Sequence, residues 1–473
     1  MVSKINGLFG KRALYVFDPV ALQSILIKDH SSYEDALFML SMNMMLFGPS
    51  VVATIGDQHR KQRKMINPVF STQQMRQMIP IFYQVARNLQ EGIERQLRNP
   101  SGSGDIDILD WMSRAALELI GQGGLGHSFD PLVEESQSVF TNAIKDTLTA
   151  LPLCPEIWVT SFRRWVLDNL VPIAKIQRLK NLSDTINAEA AQVVAQRRLA
   201  IQSGEGAILQ EVGEGKDIMS VLLRANMKAE ESERLGEDEL AAQTATFIFA
   251  ATDTTSNTLA QILQLLAQHT EVQEKLRTEI LQAAGDEEIP YDQLEGLPYL
   301  DAVCRETLRL YAPVSDTFRD CIRDTVLPLS EPIQGLDGTW MKEILVPEGT
   351  RIVISIRGCN INKAIWGEDA DEWKPERWLS PLPETVTNAR IPGVYSNLLS
   401  FLGGGRSCIG FKFSQLEMKV VLCVLLRSFR FYPSDKEIVW NYSLVRFPTV
   451  GKDSGKPSMP MKLVPIKETM TLA

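Results

Sequence analysis

Phe401-Leu-Gly-Gly-Gly-Arg-Ser-Cys-Ile-Gly410 is the stretch whose reading decides the fold of this 473-residue chain. It sets one cysteine, Cys408, in a short loop with four glycines, one arginine and one aromatic, and an apolar helical run, Phe411 to Leu426, follows at once. Glycine lets backbone approach a flat ligand closely and adopt positive φ. A thiolate held there is expected to meet backbone N–H groups and the positive end of the following helix, both of which lower its pKa. A thiolate ligand to a haem iron needs such surroundings. A glycine-rich turn around a buried structural cysteine is the competing reading of the loop taken alone.

Phe401, Gly404, Arg406, Cys408 and Gly410 match every fixed position of Phe-x-x-Gly-x-Arg-x-Cys-x-Gly, and on these residues the chain resembles the cytochrome P-450 family, whose haem-binding signature this is. The resemblance implies a mainly α fold with small β-sheets: one large helical lobe around haem b plus a small β-rich lobe, a single domain over residues 1–473. It implies Cys408 as the axial ligand of the haem iron. Four further motifs stand in the family's order, and the match runs from about residue 13 to the C-terminus.

Upstream, Gly56-Asp-Gln-His59-Arg60-Lys61-Gln62-Arg63-Lys64 puts His59 and Arg63 four apart, neighbours on one helical face. Such a pair suits two carboxylates, although a solvated basic face reads equally well. By resemblance His59, Arg63, Arg406 and Arg319 hold the haem propionates. Arg60, Lys61 and Lys64 form the densest basic cluster of an acidic chain and would steer an acidic electron donor.

Leu240 to Gln268 reads as a long helix centred on Ala250-Ala251-Thr252-Asp253-Thr254-Thr255. An acid and three hydroxyls inside an apolar helix are unfavourable by propensity, which points to function; helix-internal capping is the alternative. The segment resembles the family's oxygen-activation motif, with Ala251 where glycine is common, and implies that Asp253 and Thr254 deliver protons. Glu306-Thr-Leu-Arg309 has the spacing of an intrahelical pair, and Pro375-Glu-Arg377-Trp378 supplies the arginine that completes a buried cluster in the family. An ordinary surface bridge is the competing reading of the first motif. Phe247, Ala250, Ala251, Val314 and Phe318, with the Met-rich segment 35–53, are expected to line an apolar substrate pocket.

The remaining chain reads more plainly. Leu14 to Phe17 alternates like a strand, and Asp18-Pro19 then opens a helix. Gly121 to Gly126 interrupts the helical pattern after Ile120, residues 203–217 read as a surface loop, and Pro347-Glu-Gly349 turns a hairpin into Arg351 to Ile356. Residues 146–175, with Trp158, Phe162 and Trp165, are a proline-broken connection; in the family this region covers the pocket and touches a membrane, so a peripheral membrane contact is implied, while structural filler is an equal reading of the tryptophans.

The composition excludes some classes. A net charge of −9 carries no general basic footprint for nucleic acid, and no run of eighteen apolar residues occurs to span a bilayer. The six cysteines show no C-x-x-C or zinc spacing, and those other than Cys408 read as reduced and structural. The chain begins after where the N-terminal anchor and proline-rich hinge of eukaryotic family members would lie. By resemblance the protein is expected to face the cytosol at the endoplasmic reticulum membrane; a truncated sequence, a shortened gene model and a soluble protein are the open readings of the missing anchor.

The function implied is that of a haem-thiolate monooxygenase using dioxygen and NADPH-derived electrons, handed on by a separate NADPH–cytochrome P-450 reductase, with cytochrome b5 as a second donor the family allows. No flavin or dinucleotide fingerprint occurs in the chain itself. The substrate would be a lipophilic small molecule, and the likeness to fungal members favours secondary metabolism. Two alternatives stand beside this: a haem-thiolate isomerase or dehydratase that does not use dioxygen, against which Asp253-Thr254 argues, and a non-catalytic haem-binding sensor.

Overall fold

A computed structural model describes residues 1–6, 12–98, 104–130, 132, 174–203, 215–285, 287–335, 337–395 and 397–466. The connection 146–173 and most of the loop 203–217 lie outside them, as does Cys154.

Ten helices of eleven residues or more stand among the described residues: α1 (Leu37–Phe47), α2 (Gly56–Ile66), α3 (Thr72–Arg98), α4 (Ile108–Leu119), α5 (Ala174–Ser203), α6 (Ile218–Lys228), α7 (Glu237–Gln268), α8 (Thr270–Ala284), α9 (Pro298–Leu310) and α10 (Phe411–Ser428). The Met-rich segment is thus a helix, α1. Local chemistry starts several of them. Asp217 caps α6 by accepting from Ser220 N–H at 2.8 Å, and Glu239 reaches back from the first turn of α7 to the N–H of Gly236 at 3.0 Å. Asp18 does the same for the short helix Pro19–Gln23, and also accepts from Ser330, 312 residues away. A local cap is thereby made into a tertiary tie.

The strands form four small sheets. In the largest, β1 (Val2–Asn6), β2 (Arg12–Val16), β8 (Arg351–Ser355), β5 (Asp316–Cys321) and β3 (Tyr33–Asp35) lie in that order. β6 (Thr325–Gln334) pairs with β7 (Trp340–Val346), β10 (Ile438–Asn441) with β11 (Phe447–Val450), and β12 (Pro460–Pro465) runs between β4 (Ile106–Asp107) and β9 (Phe429–Pro433). The sequence expectation of a hairpin through Pro347–Gly349 is corrected here. β7 pairs with β6, whereas the next strand, β8, lies in another sheet between β2 and β5. The turn moves the chain from one sheet to the next, which local turn chemistry does not distinguish from closing a hairpin.

α7 runs through the helical part, packed against α4 and α5, and α10 packs on α3. Phe413 of α10 meets Phe82 of α3 edge-on at 4.9 Å between centroids, and Phe70 meets Phe247 of α7 at 5.5 Å. The glycines after Ile120 do not interrupt the helix. Ile120–Leu125 continues α4 as a π-helical turn, and a Cβ on Gly123 would lie 2.7 Å from the Phe82 ring. Gly123 thus serves close packing against α3, and Gly121 against Phe129.

Candidate active site

The Cys408 loop is held by glycine. A Cβ on Gly403 would come within 1.5 Å of the Pro392 carbonyl oxygen, and one on Gly404 within 2.0 Å of that of Leu26; Gly404 also stands at φ +69°. The N–H of Cys408 donates to Phe401 O at 2.9 Å and closes the loop. Gly410 then enters α10, where an added Cβ would meet nothing nearer than Phe70 at 4.0 Å.

Cys408 opens on a cavity of about 310 Å³ whose walls include Ala250, Ala251, Thr254 and Thr255 of α7 and Phe401 and Gly410 of the loop. His59, Arg63, Arg319 and Arg406 line it too, as do Phe247 and Phe318. Two further spaces, of about 210 and 440 Å³, share walls with it, and Thr254 and Thr317 line all three. The largest is apolar, bounded by Met39, Met42, Phe249, Val314, Phe318 and the turn at Leu444. All five expected pocket residues therefore line this connected space. Thr317 and the turn Ser443–Val445 do so as well, and the sequence reading missed them. No periodicity marks them, because the β10–β11 turn is brought there by tertiary packing.

The electrostatics correct one expectation. Protein surrounds Cys408 on every side although its side chain is accessible from the cavity, and burial pushes the thiol up; the Gly410 N–H and Arg63 pull it down only in part. The loop alone does not lower the pKa. A coordinated metal, which deprotonates a thiol outright, would. His59 is pushed down to about 3, by burial first and then by Arg406 and Arg63, so it is a neutral imidazole. Arg63 donates to Ser407 O at 2.9 Å. Arg406 donates to Thr54 O at 2.9 Å and pairs with Glu34 at 2.8 Å and Asp35 at 3.1 Å. Arg319, 4% exposed, pairs with Asp35 at 2.5 Å. Of the basic cluster on the same helix, Lys64 pairs with Glu233 at 2.9 Å and Arg60 lies 3.8 Å from Asp57.

In α7 the hydroxyls of Thr252, Thr254 and Thr258 each donate to the carbonyl four residues earlier, at 2.7 Å. Helix-internal bonding and cavity lining thus coexist at Thr254. Its oxygen can accept from a cavity ligand as it stands, and can donate to one only by releasing Ala250 O. Asp253, 8% exposed, lines none of the three spaces, while Thr255 lines two.

Glu306, Arg309 and Arg377 do meet. Glu306 accepts from Arg309 at 2.7 and 2.9 Å, from Arg377 at 3.3 Å and from the Trp378 indole at 2.9 Å. Arg309 also donates to three backbone carbonyls, and Arg377 pairs with Asp369 at 2.9 Å.

Glu417 of α10 was also missed, though an acid inside an apolar helix was its signal. It is fully buried, neither oxygen has a hydrogen bond of good geometry among the described residues, and burial raises its pKa well above the ordinary value, with a hydrogen-bonding interaction from Thr255 opposing. The native state therefore keeps a proton that the unfolded chain loses. This contributes stability at low pH that is lost as pH rises from the ordinary glutamate range towards the raised pKa. Glu417→Gln should flatten that decline. Its melting temperature should gain on the parent's as buffers go from mildly acidic to mildly alkaline, and parallel curves would contradict this.

The donor set fits a haem. A thiol, three guanidiniums and a neutral imidazole line one cavity with apolar walls, and beside the thiol stands a glycine with no Cβ to fill the space.

Comparison with known proteins bears on this site. The family model for Cytochrome P450 matches residues 7–447. Cytochrome P450 monooxygenase 91 of Postia placenta is 53% identical over 99% of this chain and 88% of its own length. Ganoderic acid synthetase of Ganoderma lucidum is 46% identical over 98% of this chain and 87% of its own. The crystal structure of a cytochrome P450, 21% identical, superposes with a TM-score of 0.75 over 98% of this chain and 94% of that one, a likeness of fold.

Proposed function

Because the chain belongs to the cytochrome P450 family and is a monooxygenase of it, we propose that it inserts one oxygen atom into a lipophilic small molecule held in the connected cavities beside Cys408. The observation that carries this is that Cys408 and Thr254 line one cavity, which continues into an apolar chamber of about 440 Å³. The family requires haem, dioxygen and electrons. Haem b would be held through Cys408, with Arg63, Arg319, Arg406 and neutral His59 to take its two carboxylates. Bound there, it supplies dioxygen activation: two electrons and two protons enter, one oxygen atom goes to the substrate and the other leaves as water. We assign the electrons to NADPH through a separate reductase.

The chain's own residues do the rest. The apolar walls bind the substrate by burial and keep water away from the reacting centre. The Thr254 hydroxyl holds a proton, or a proton-bearing water, at its Oγ1. Asp253 sits on another face of the helix and relays protons towards it. The relative named for ganoderic acid synthesis supports a lipophilic secondary metabolite as substrate. Relatives named as monooxygenases leave the isomerase and sensor readings without a specific observation in their favour.

The test is reconstitution with haem, reductase and NADPH, comparing parent with Thr254→Val. That change keeps size and leaves the thiolate untouched, so haem content and the carbon monoxide spectrum should stay normal. NADPH consumption should persist while product per NADPH falls, by up to ~10²-fold for a lost general acid, with peroxide released instead. Unchanged coupling would make Thr254 a packing residue.

A further inference from the structure

We propose that Asp35 competes with the haem carboxylates for Arg319 and Arg406, and so limits how tightly this chain holds its haem and lowers the potential at which the haem is reduced. The inference rests on the haem reading above and concerns Asp35 and Glu34, which that reading did not use.

The register of β3 against β5 sets Asp35 directly opposite Arg319. Its carboxylate lies 2.5 Å from Arg319 Nη1 and 3.1 Å from Arg406 Nε, and Asp35 lines the same cavity as both arginines and Cys408. Glu34, next in the strand, takes Arg406 Nη2 at 2.8 Å. Backbone bonds hold the strand in place on both sides of the pair, from Ala36 N–H to Phe318 O at 3.3 Å and from Ile322 N–H to Ser32 O at 2.9 Å. The Asp35 backbone therefore stays opposite Arg319 as long as β3 is paired.

Counting charges makes the conflict plain. Arg63, Arg319 and Arg406 are three cations of the cavity wall, and Glu34 and Asp35 already place two anions on them. Haem b adds two carboxylates, while the thiolate offsets the single positive charge of a ferric porphyrin core. Anions then outnumber cations, in a setting where Arg319 and Asp35 side chains are 5% and 18% exposed and weakly screened. The opposing account makes Asp35 a scaffold that aims Arg319 at the haem. The two accounts differ in sign: removing the charge strengthens haem retention under competition and weakens it under scaffolding.

Asp35→Asn keeps the shape and an acceptor for Arg319 while removing the charge. Haem transfer from the purified holoprotein to excess apomyoglobin should slow about tenfold, the order of one charge pair at short range in a half-buried site. The ferric/ferrous midpoint should move to more positive potential, since a nearby anion favours the ferric state. Glu34→Gln, which touches Arg406 alone of the two arginines, should move both quantities less. If Asp35→Asn does not accumulate as folded protein, Asp35→Ser carries the same expectation. Equal or faster haem release, or a midpoint that stays put or turns more negative, overturns the proposal. The carbon monoxide difference spectrum separates the two levels: a parent protein without thiolate-type haem fails the haem reading itself, whereas an unaltered Asp35→Asn in a protein with that spectrum fails this inference only.

Discussion

Cys408→Ala is expected to abolish the long-wavelength Soret band of the reduced carbon monoxide complex and most haem retention with it. The sulfur opens on the cavity, and of the four histidines His59 is the one that lines it. His59 is a neutral imidazole wedged with Arg63 and Arg406, and His269 is stacked on Trp373, 5.2 Å between centroids. Without the thiol the arginines still attract the haem carboxylates, so weak, salt-sensitive haem association should remain while activity does not. Reduced protein titrated with carbon monoxide decides the matter. Survival of the long-wavelength band in Cys408→Ala would mean another ligand. Cys408→Ser, nearly isosteric, should behave like the alanine variant spectroscopically while keeping the loop folded, which separates ligation from packing.

Glu306→Ala should yield little folded, haem-loaded protein although no atom of Glu306 lines the cavity. Glu306 and Arg309 are both fully buried, and the one carboxylate serves Arg309, Arg377, the Trp378 indole and the Lys374 N–H. Removing it strips a buried guanidinium of its counter-charge, a loss of roughly 3–5 kcal/mol, against a total stability of about 5–15 kcal/mol for a typical domain. Arg309→Ala should be damaging but less so, because Arg377 and the indole remain to serve the carboxylate. Arg377 also keeps Asp369 in the Glu306 variant, so the turns around residue 370 should loosen after the helix does. Glu306→Gln, which keeps the acceptor on one side, should fall between parent and alanine. Thermal melting and haem content per protein check the series. Normal values in Glu306→Ala would mean that the cluster is an ordinary bridge.

The motifs that could be read from the chain are those whose geometry is local. Cys408 with its glycines lies within ten residues; His59 and Arg63, or Glu306 and Arg309, lie within one helical turn or slightly more; Asp253 and Thr254 betray themselves by breaking the apolar pattern of α7. Chain order then carried the resemblance, and with it the mainly helical fold and the pocket side chains on α7 and β5.

The sequence by itself determined the chemistry available: one thiol in a glycine loop, an acid–alcohol pair in a helix, and an apolar lining. Tertiary structure decided what that chemistry meets. Burial, a property of surroundings supplied by distant residues, set the sign of the Cys408 shift against the local expectation from N–H groups and helix end. The cross-strand register of β3 on β5 brought Asp35 to Arg319 across 284 positions, and the β10–β11 turn brought Leu444 to the chamber. Periodicity has a range of a few residues, and pairings closed over hundreds are chosen by the packed core.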